Sequence, residues 1–283
     1  MQHSSSPSTV PARSTYAPRR FTPRTVFAAG LWVSVVALGA LTSCGDNDPP
    51  TAAPAQILKG IDVPFGNGSG RTELAMRGST LVSAAVVLSE SALEGLPAQL
   101  PPMQSLEFIL PLPSGAPATV FDHVAVNWQP TGHPPMGVYT TPHFDVHFYT
   151  VTQQQRDAIS PADPQFGAKT ARQPTTEDRP SGYTLDPAAI PRMGVHAGAA
   201  DAPENRGLPF TTSFIYGFYD GGMIFLEPML TRAFLLSRPD TTMKIATPTH
   251  YPRPGAYATA YNVRYDAAAR EYRIELRDFV GRP

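Results

Sequence analysis

The segment 257–279 reads YATAYNVRYDAAAREYRIELRDF and predicts a β-hairpin near the end of the chain. Every second residue from Tyr257 to Tyr265 is aromatic or β-branched. In the second half, Tyr272, Ile274 and Leu276 alternate with charged residues. A period of two gives each strand one buried face and one solvated face. The hairpin therefore indicates an antiparallel β-sheet.

The rest of the chain also favours short strands over long helices. Thirty-two of the 283 residues are proline, which lacks an amide hydrogen and interrupts helices. Apolar or β-branched runs predict further strands at residues 57–65, 81–88, 106–110, 120–128, 138–151, 211–219 and 223–227. Short helices are expected at 153–159 and at 228–236, the latter with Pro228 in its first position. The predicted fold class is mainly β, either a sandwich or a barrel-like sheet, with a few short helices.

Residues 160–209 break this pattern. They contain eight prolines and few large apolar side chains. A stretch of this length without regular structure is unusual in a compact domain. We therefore expect a long, proline-rich loop excursion, which is either a surface segment or a lid over a site.

The first 43 residues have the features of an export signal. Four arginines and no acidic residue are followed by an apolar run from Val26 to Leu41. The segment 41–44 (LTSC) resembles the lipobox of bacterial lipoproteins, in which the cysteine is lipidated and begins the mature chain. Cys44 is the only cysteine of the protein. Residues 1–43 are thus predicted to be a lipoprotein signal peptide, with an uncleaved signal anchor as the alternative.

The mature chain is expected to have two parts. Residues 44–56 form a polar, proline-rich tether, and residues 57–283 have a length that suits one domain. Removal of the leader would leave 18 basic against 23 acidic residues, a net charge of −5. Nucleic acid is therefore not an expected partner. The expected location is the bacterial cell envelope, with the exported protein held on a membrane by lipid at Cys44.

The histidines are the main candidates for a functional site. Four of the seven lie between residues 123 and 147. If the run HFDVHFY at 143–149 is a strand, His143, Asp145 and His147 project from one face, and apolar residues project from the other. Imidazole and carboxylate groups are ligands for zinc, iron, manganese and copper. A divalent metal ion is therefore the expected cofactor of such a site.

Strand geometry limits which of these residues can share an ion. Residues two apart on one face are separated by about 6.6 Å, and residues four apart by about 13 Å. The expected chelating pair is therefore Asp145 with either His143 or His147, and the two histidines share an ion only on a bulged strand. The further ligands expected from other segments are His196, Glu227 and His133. Glu227 ends an apolar strand, where an unpaired carboxylate is costly.

Other interpretations of these residues remain open. The cluster is a structural one if its members only hydrogen-bond each other and the backbone, and Glu227 alone is explained by an ion pair with an arginine. A set of three histidines and one carboxylate would be similar to the cupin set by residue type alone. The sequence contains no Gly-x-Ser-x-Gly elbow, dinucleotide-binding glycine motif or His-Glu-x-x-His helix. It therefore leaves open whether the protein is an enzyme.

Several motifs together resemble an uncharacterised bacterial family. They are ALEGLP at 92–97, FDHV at 121–124, GHPP at 132–135, PHFDVHFY at 142–149, MGVH at 193–196, YGFYDG at 216–221 and FLEPM at 225–229. The resemblance covers most of 57–283, and the HFDVHFY run is its most specific element. The family is a domain of unknown function with a Thermus protein as its structural prototype. The resemblance implies a secreted or envelope-associated β-rich domain that self-associates as a homo-oligomer, and it implies no established reaction.

Two functions follow as hypotheses. The first is an envelope lipoprotein with a metal-binding or metal-dependent site in a domain that binds a small molecule. The second is a non-catalytic structural or stress-related self-assembling protein, whose histidine cluster holds strands together. Elemental analysis of the purified protein distinguishes the two hypotheses.

Overall fold

The C-terminal hairpin belongs to one of two antiparallel sheets in the computed structural model, which describes residues 54–283. In chain order the strands are β1 (Gln56–Lys59), β2 (Val63–Phe65), β3 (Gly68–Arg77), β4 (Thr80–Ser89), β5 (Leu106–Pro111), β6 (His123–Gln129), β7 (His143–Tyr149), β8 (Tyr183–Ile190), β9 (Gly194–Ala199), β10 (Thr212–Tyr219), β11 (Gly222–Thr231), β12 (Asp240–Lys244), β13 (Gly255–Asp266) and β14 (Glu271–Arg282). The helices are short: α1 (Gln153–Asp157), α2 (Phe166–Ala171) and α3 (Arg232–Leu236).

The strand order defines a sandwich-like arrangement. Sheet 1 has the order β1-β3-β4-β14-β13-β12, with β2 paired to β3, and sheet 2 has the order β5-β6-β7-β11-β10-β9-β8. Neither sheet closes on itself within residues 54–283. The prediction of a mainly β fold is therefore confirmed, and of the two architectures expected the sandwich is the one formed.

A shared core joins the two sheets. Val86 and Ile274 of sheet 1 belong to the same buried cluster as Val126, Phe144 and Phe148 of sheet 2. Each such side chain removed from water contributes roughly 1.5–3 kcal/mol. The core thus fixes which face of each strand in sheet 2 points inward.

The opposite face of sheet 2 is also covered. Tyr139 and Phe210 pack on Met229 of β11, and Ile159, which follows α1, packs with Phe225 at the other end of the strand. Polar side chains on this outer face are therefore enclosed between the sheet and a layer of loops and short helices. This enclosure positions the candidate site.

The strand that contains the histidines is shorter than the sequence indicates. The predicted strand 138–151 is β7, His143–Tyr149. Residues 138–142 instead belong to the irregular segment 130–142, called the covering loop below. Tyr139 of that loop is buried on the outer face of sheet 2, so its apolar character serves packing outside the strand.

The predicted start of the helix at 228–236 is wrong. Pro228 lies inside β11, opposite Phe214 of β10, and α3 begins only at Arg232. The pairing of β11 with β7 omits Glu227 and Pro228, which is expected where proline offers no amide hydrogen. Thr231 begins the helix because its hydroxyl accepts a hydrogen bond from the Phe234 amide at 3.1 Å.

The loop excursion predicted at 160–209 is corrected by α2, β8 and β9, which all lie within it. β8 is the edge strand of sheet 2, and most of its side chains are not buried. An edge strand needs few large apolar residues, and the pairing of β8 with β9 shifts between Leu185 and Ala189, around Pro187. The composition of this segment therefore resembled that of a loop.

The predictions for the N-terminal region lie outside the described residues. These are the signal peptide at 1–43, the lipidated Cys44 and most of the tether at 44–56.

Within the part of the chain that the structure describes, helices are too short or too polar to cross a membrane.

A buried ion network lies on the outer face of sheet 1. The Glu73 side chain is 2 % exposed and pairs with Arg71 at 2.7 Å and with Arg273. Burial opposes ionisation of Glu73, but hydrogen bonds from Arg273 and Arg71 prevail and lower its pKa. The carboxylate is therefore a structural charge, and its two arginine partners are also largely buried.

Glu73→Gln is expected to lower the free energy of unfolding by about 2 kcal/mol, because it leaves the partly buried Arg273 without its anion, whereas Arg71 keeps Glu271. Urea unfolding at pH 7 measures this change. Asp278→Asn is the matched control, since it removes an exposed partner of Arg277 and should change the unfolding free energy by less than about 0.5 kcal/mol. Equal effects of the two substitutions would contradict the prediction.

Candidate metal centre

The six predicted site residues lie on or beside the outer face of sheet 2. β7 provides His143, Asp145 and His147, while Phe144, Val146 and Phe148 point into the core between the sheets as predicted. The three other residues come from elsewhere in the chain: His133 from the covering loop, His196 from β9 and Glu227 from β11. The sheet order brings these distant segments to one face.

The structure divides the residues into two groups of three. In the first trio, His133, His143 and Asp145 each offer one ligand atom, and these atoms lie within 4.8 Å of one another. His143 Nε2 is 3.1 Å from Asp145 Oδ1, and His133 Nε2 is 3.6 Å from Asp145 Oδ2. Of the two chelating pairs left open by the sequence, His143 with Asp145 is therefore the one that the geometry brings together.

Each member of the first trio has a partner that orients it. His143 Nδ1 and His133 Nδ1 lie 2.7 Å from the carbonyl oxygens of Thr141 and Pro134, respectively. A carbonyl oxygen only accepts, so each Nδ1 donates, and each Nε2 faces the Asp145 carboxylate. Gln129 Nε2 donates to Asp145 Oδ2 at 3.1 Å. Outer partners of this kind are typical of metal-binding histidines and carboxylates.

The second trio consists of His147, His196 and Glu227, whose ligand atoms also lie within 4.8 Å of one another. His147 Nε2 is 3.4 Å from Glu227 Oε1, and His196 Nε2 is 3.9 Å from Glu227 Oε2. The Phe225 ring packs against both imidazoles, at centroid distances of 4.8 and 5.5 Å. An apolar side chain thus supports both nitrogen ligands of this trio.

The distances within both trios suit a first-row metal ion. Two ligand atoms that are each about 2.1 Å from one ion lie about 3.0–3.4 Å apart. The separations between histidine and carboxylate atoms are 3.1–3.9 Å, and all ligand atoms of a trio lie within 4.8 Å, so binding an ion requires them to move inward. In addition, Glu227 Oε2 is buried without a hydrogen-bond partner. Such atoms are rare in native proteins, and a bound cation would satisfy this one.

Charges at the site also favour a cation. In residues 54–283, the ion-pair partners of Asp145 and Glu227 are histidines, with no arginine or lysine among them. Among the described residues, the arginine pair considered for Glu227 is therefore not formed. A carboxylate that is buried without a permanent cation is costly unless it is protonated or bound to a metal.

The pKa values follow from this burial. Burial lowers the pKa of His147 to about 4 and that of His196 to about 3, so both imidazoles are neutral at pH 7, the form that binds a metal. Burial, reinforced by the charge of Asp145, raises the pKa of Glu227 well above its usual value. Burial would also raise the pKa of Asp145, but His143 and His133 hold it well below its usual range.

The six candidate ligands do not form one shared centre. Instead of a cupin-like set of three histidines and one carboxylate, each trio has two histidines and one carboxylate. His143 and His147 fall into different trios, as the spacing on a regular strand predicts. Gln129 was missed by the sequence analysis because it lies one residue beyond the predicted strand 120–128 and contacts Asp145 only across the sheet.

Gly217 makes room for the support of the second trio. A Cβ atom at this position would lie 2.1 Å from ring carbons of Phe225. Gly217→Ala is therefore expected to lower the free energy of unfolding by about 1–3 kcal/mol and to displace the ring against His147 and His196. Thermal unfolding measures the loss. Gly198→Ala is the control, because its Cβ would meet nothing within 4 Å, and an equal loss there would contradict the explanation.

The fold and the site define a β-sandwich protein with two clusters of histidine and carboxylate on one covered sheet face. A family model described as "TTHB210-like: Hypothetical protein TTHB210" matches residues 79–128. The match is consistent with the resemblance to an uncharacterised family with a Thermus prototype. It includes β4, β5 and most of β6, so all six candidate ligands lie after the matched segment.

No curated protein and no solved structure matches the chain.

Proposed function

We propose that this protein is an exported lipoprotein of the bacterial cell envelope that binds a divalent transition-metal ion through His133, His143 and Asp145. The observation that carries the metal proposal is the orientation of the two histidines. Both Nδ1 atoms donate to backbone carbonyl oxygens, so both Nε2 atoms are directed at the Asp145 carboxylate, where they become metal ligands once they carry no proton. A purely structural cluster of two protonated histidines and one carboxylate has the same orientation, so zinc binding is the measurement that distinguishes the two.

The donor set limits the metal. Two imidazole nitrogens and one carboxylate without thiolate suit Zn²⁺, Fe²⁺, Mn²⁺ or Cu²⁺. Three protein ligands leave coordination positions for water or a small molecule, where the ion supplies Lewis acidity. The open side is next to His133, whose side chain is 28 % exposed. A small-molecule ligand is therefore proposed to approach from the covering loop.

Zinc binding by the full-length protein in detergent tests the metal proposal. Equilibrium dialysis against Zn²⁺, followed by elemental analysis, should give bound zinc that His133→Ala reduces by one ion per chain. This substitution removes the most exposed ligand and should leave the sheet intact. His250→Ala is the control, because it removes an exposed histidine outside both trios. If His133→Ala binds as much zinc as the wild type, the proposal is wrong and the cluster is structural.

The anchor has a separate test. Cys44 is the only cysteine, and it follows a basic and apolar leader with the lipobox-like residues 41–43. Cys44→Ala should therefore abolish incorporation of a labelled fatty acid in bacteria and change the membrane fraction of the protein. Thr51→Ser in the tether is a matched control that keeps the cysteine and the lipobox-like residues. Continued lipid labelling of Cys44→Ala would contradict the anchor.

A further inference from the structure

We propose that His147, His196 and Glu227 bind a second divalent metal ion, so that the chain holds two separate metal sites on one sheet face. This site uses none of the ligands of the site in the proposed function.

The unsatisfied Oε2 atom of Glu227 points to a ligand at this position. Its side chain is 3 % exposed, and its two oxygens face His147 Nε2 and His196 Nε2 at 3.4 and 3.9 Å. Oε2 has no hydrogen-bond partner, although it is fully buried. A divalent cation between these atoms would bind the free oxygen and both imidazoles at once, and it would compensate the buried charge.

The second trio is built on a more rigid frame than the first. Its ligands lie on β7, β9 and β11, which belong to the same sheet, and Phe225 of β11 packs against both histidines. In the first trio, His133 lies on an irregular loop. A preorganised ligand set loses less conformational freedom on binding. The ion of the second trio should therefore dissociate more slowly than the ion of the first.

The two sites are separate because no residue belongs to both. The strand geometry sets Asp145 and His147, the nearest ligands of the two trios along β7, about 6.6 Å apart. Ions that share bridging ligands in two-metal sites lie about 3.5–4 Å apart. Each carboxylate, moreover, has its oxygens directed to the histidines of its own trio. The geometry thus favours two single-ion sites over one bridged centre.

Zinc stoichiometry of the full-length protein tests this inference. The wild type should bind two Zn²⁺ ions per chain, Glu227→Gln one, Asp145→Asn one and the double variant none. Glu227→Gln keeps the size of the side chain and removes its charge. If that variant does not fold, as judged by circular dichroism, His196→Asn replaces it, because the His196 side chain is 16 % exposed and tolerates substitution better.

Two results would overturn the inference. In each case the proposed function can still be tested separately. If Glu227→Gln and His196→Asn bind as much zinc as the wild type, the second site does not exist, whereas the first is judged by Asp145→Asn alone. If the wild type binds a single ion that both Asp145→Asn and Glu227→Gln abolish, the six residues form one shared centre.

The rate of metal release is a second measurement. With excess chelator, the wild type should lose zinc in two phases, of which the slow phase disappears in Glu227→Gln and the fast phase disappears in Asp145→Asn. A single phase with the amplitude of one ion would contradict the two-site proposal.

Discussion

Asp145→Asn is expected to lower the affinity of the first trio for Zn²⁺ by about 100-fold or more. Loss of an outer partner of a metal ligand typically costs about 10- to 100-fold in affinity, and Asp145 is a ligand itself. Its carboxylate also provides the negative charge that faces His133 and His143, at 3.6 and 3.1 Å. Asparagine has nearly the same shape, so the loss reports the charge and the ligand atom. Competition with a chromogenic chelator measures the affinity.

Two further variants make the result specific. Gln129→Leu removes the amide that donates to Asp145 Oδ2 and should cost about 10- to 100-fold, less than loss of the ligand. Asp122→Asn is the control, because Asp122 pairs with His123 at 2.8 Å and belongs to neither trio. An effect of Asp122→Asn as large as that of Asp145→Asn would mean that general electrostatics, rather than coordination, determines zinc binding.

The faces of β7 could be predicted from the sequence because they depend on local alternation alone. Each step along a strand turns the side chain to the other face, so the run HFDVHFY necessarily separates its phenylalanines from His143, Asp145 and His147. The same rule predicts the C-terminal hairpin, where β13 and β14 pair from Asp266 with Glu271 outward. These predictions required no knowledge of which strands are neighbours.

The division into two trios could not be predicted, because it depends on sheet order. Glu227 lies beside His147 since β11 pairs with β7, and His196 reaches Glu227 across β10, opposite Gly217. The local sequence of β9 does not indicate that this strand lies two strands away from β11 in the sheet. His133 lies close to Asp145 because of the conformation of the covering loop. The sequence of this loop has no periodicity from which its conformation could be predicted.

The elements that were misassigned lie where tertiary structure overrides local preference. Pro228 is favourable at the start of a helix, but the apolar residues around it are buried in a central strand of sheet 2. β8 has the composition of a loop because it pairs on one side only. In both places burial and pairing, which depend on distant residues, decide the structure.

His147 should make the metal-free protein less stable as the pH falls from about 6 to 4. In the unfolded chain a histidine has a pKa of about 6.5 and binds a proton below that pH. In the folded protein, burial lowers the pKa of His147 to about 4, so it stays neutral over this range. The unfolded state therefore binds one more proton, and this group destabilises the folded state by about 1.4 kcal/mol per pH unit. The expected loss is about 2–3 kcal/mol.

His147→Gln isolates this contribution, because glutamine does not titrate. Urea unfolding with chelator present should show that the free energy of the wild type, relative to that of the variant, falls by about 2–3 kcal/mol between pH 6 and 4 and stays constant above pH 7.5. The contribution of Glu227 to the pH dependence of stability has the opposite sign, because its raised pKa means that the folded state takes up a proton. Glu227 is present in both proteins, so the comparison removes its contribution. Asn127→Leu changes a buried, non-titrating residue of the same sheet face and should give a profile parallel to the wild type. If the wild-type and His147→Gln profiles are also parallel, the pKa of His147 is the same in the folded and the unfolded protein, and His147 is not the desolvated ligand described for the second trio.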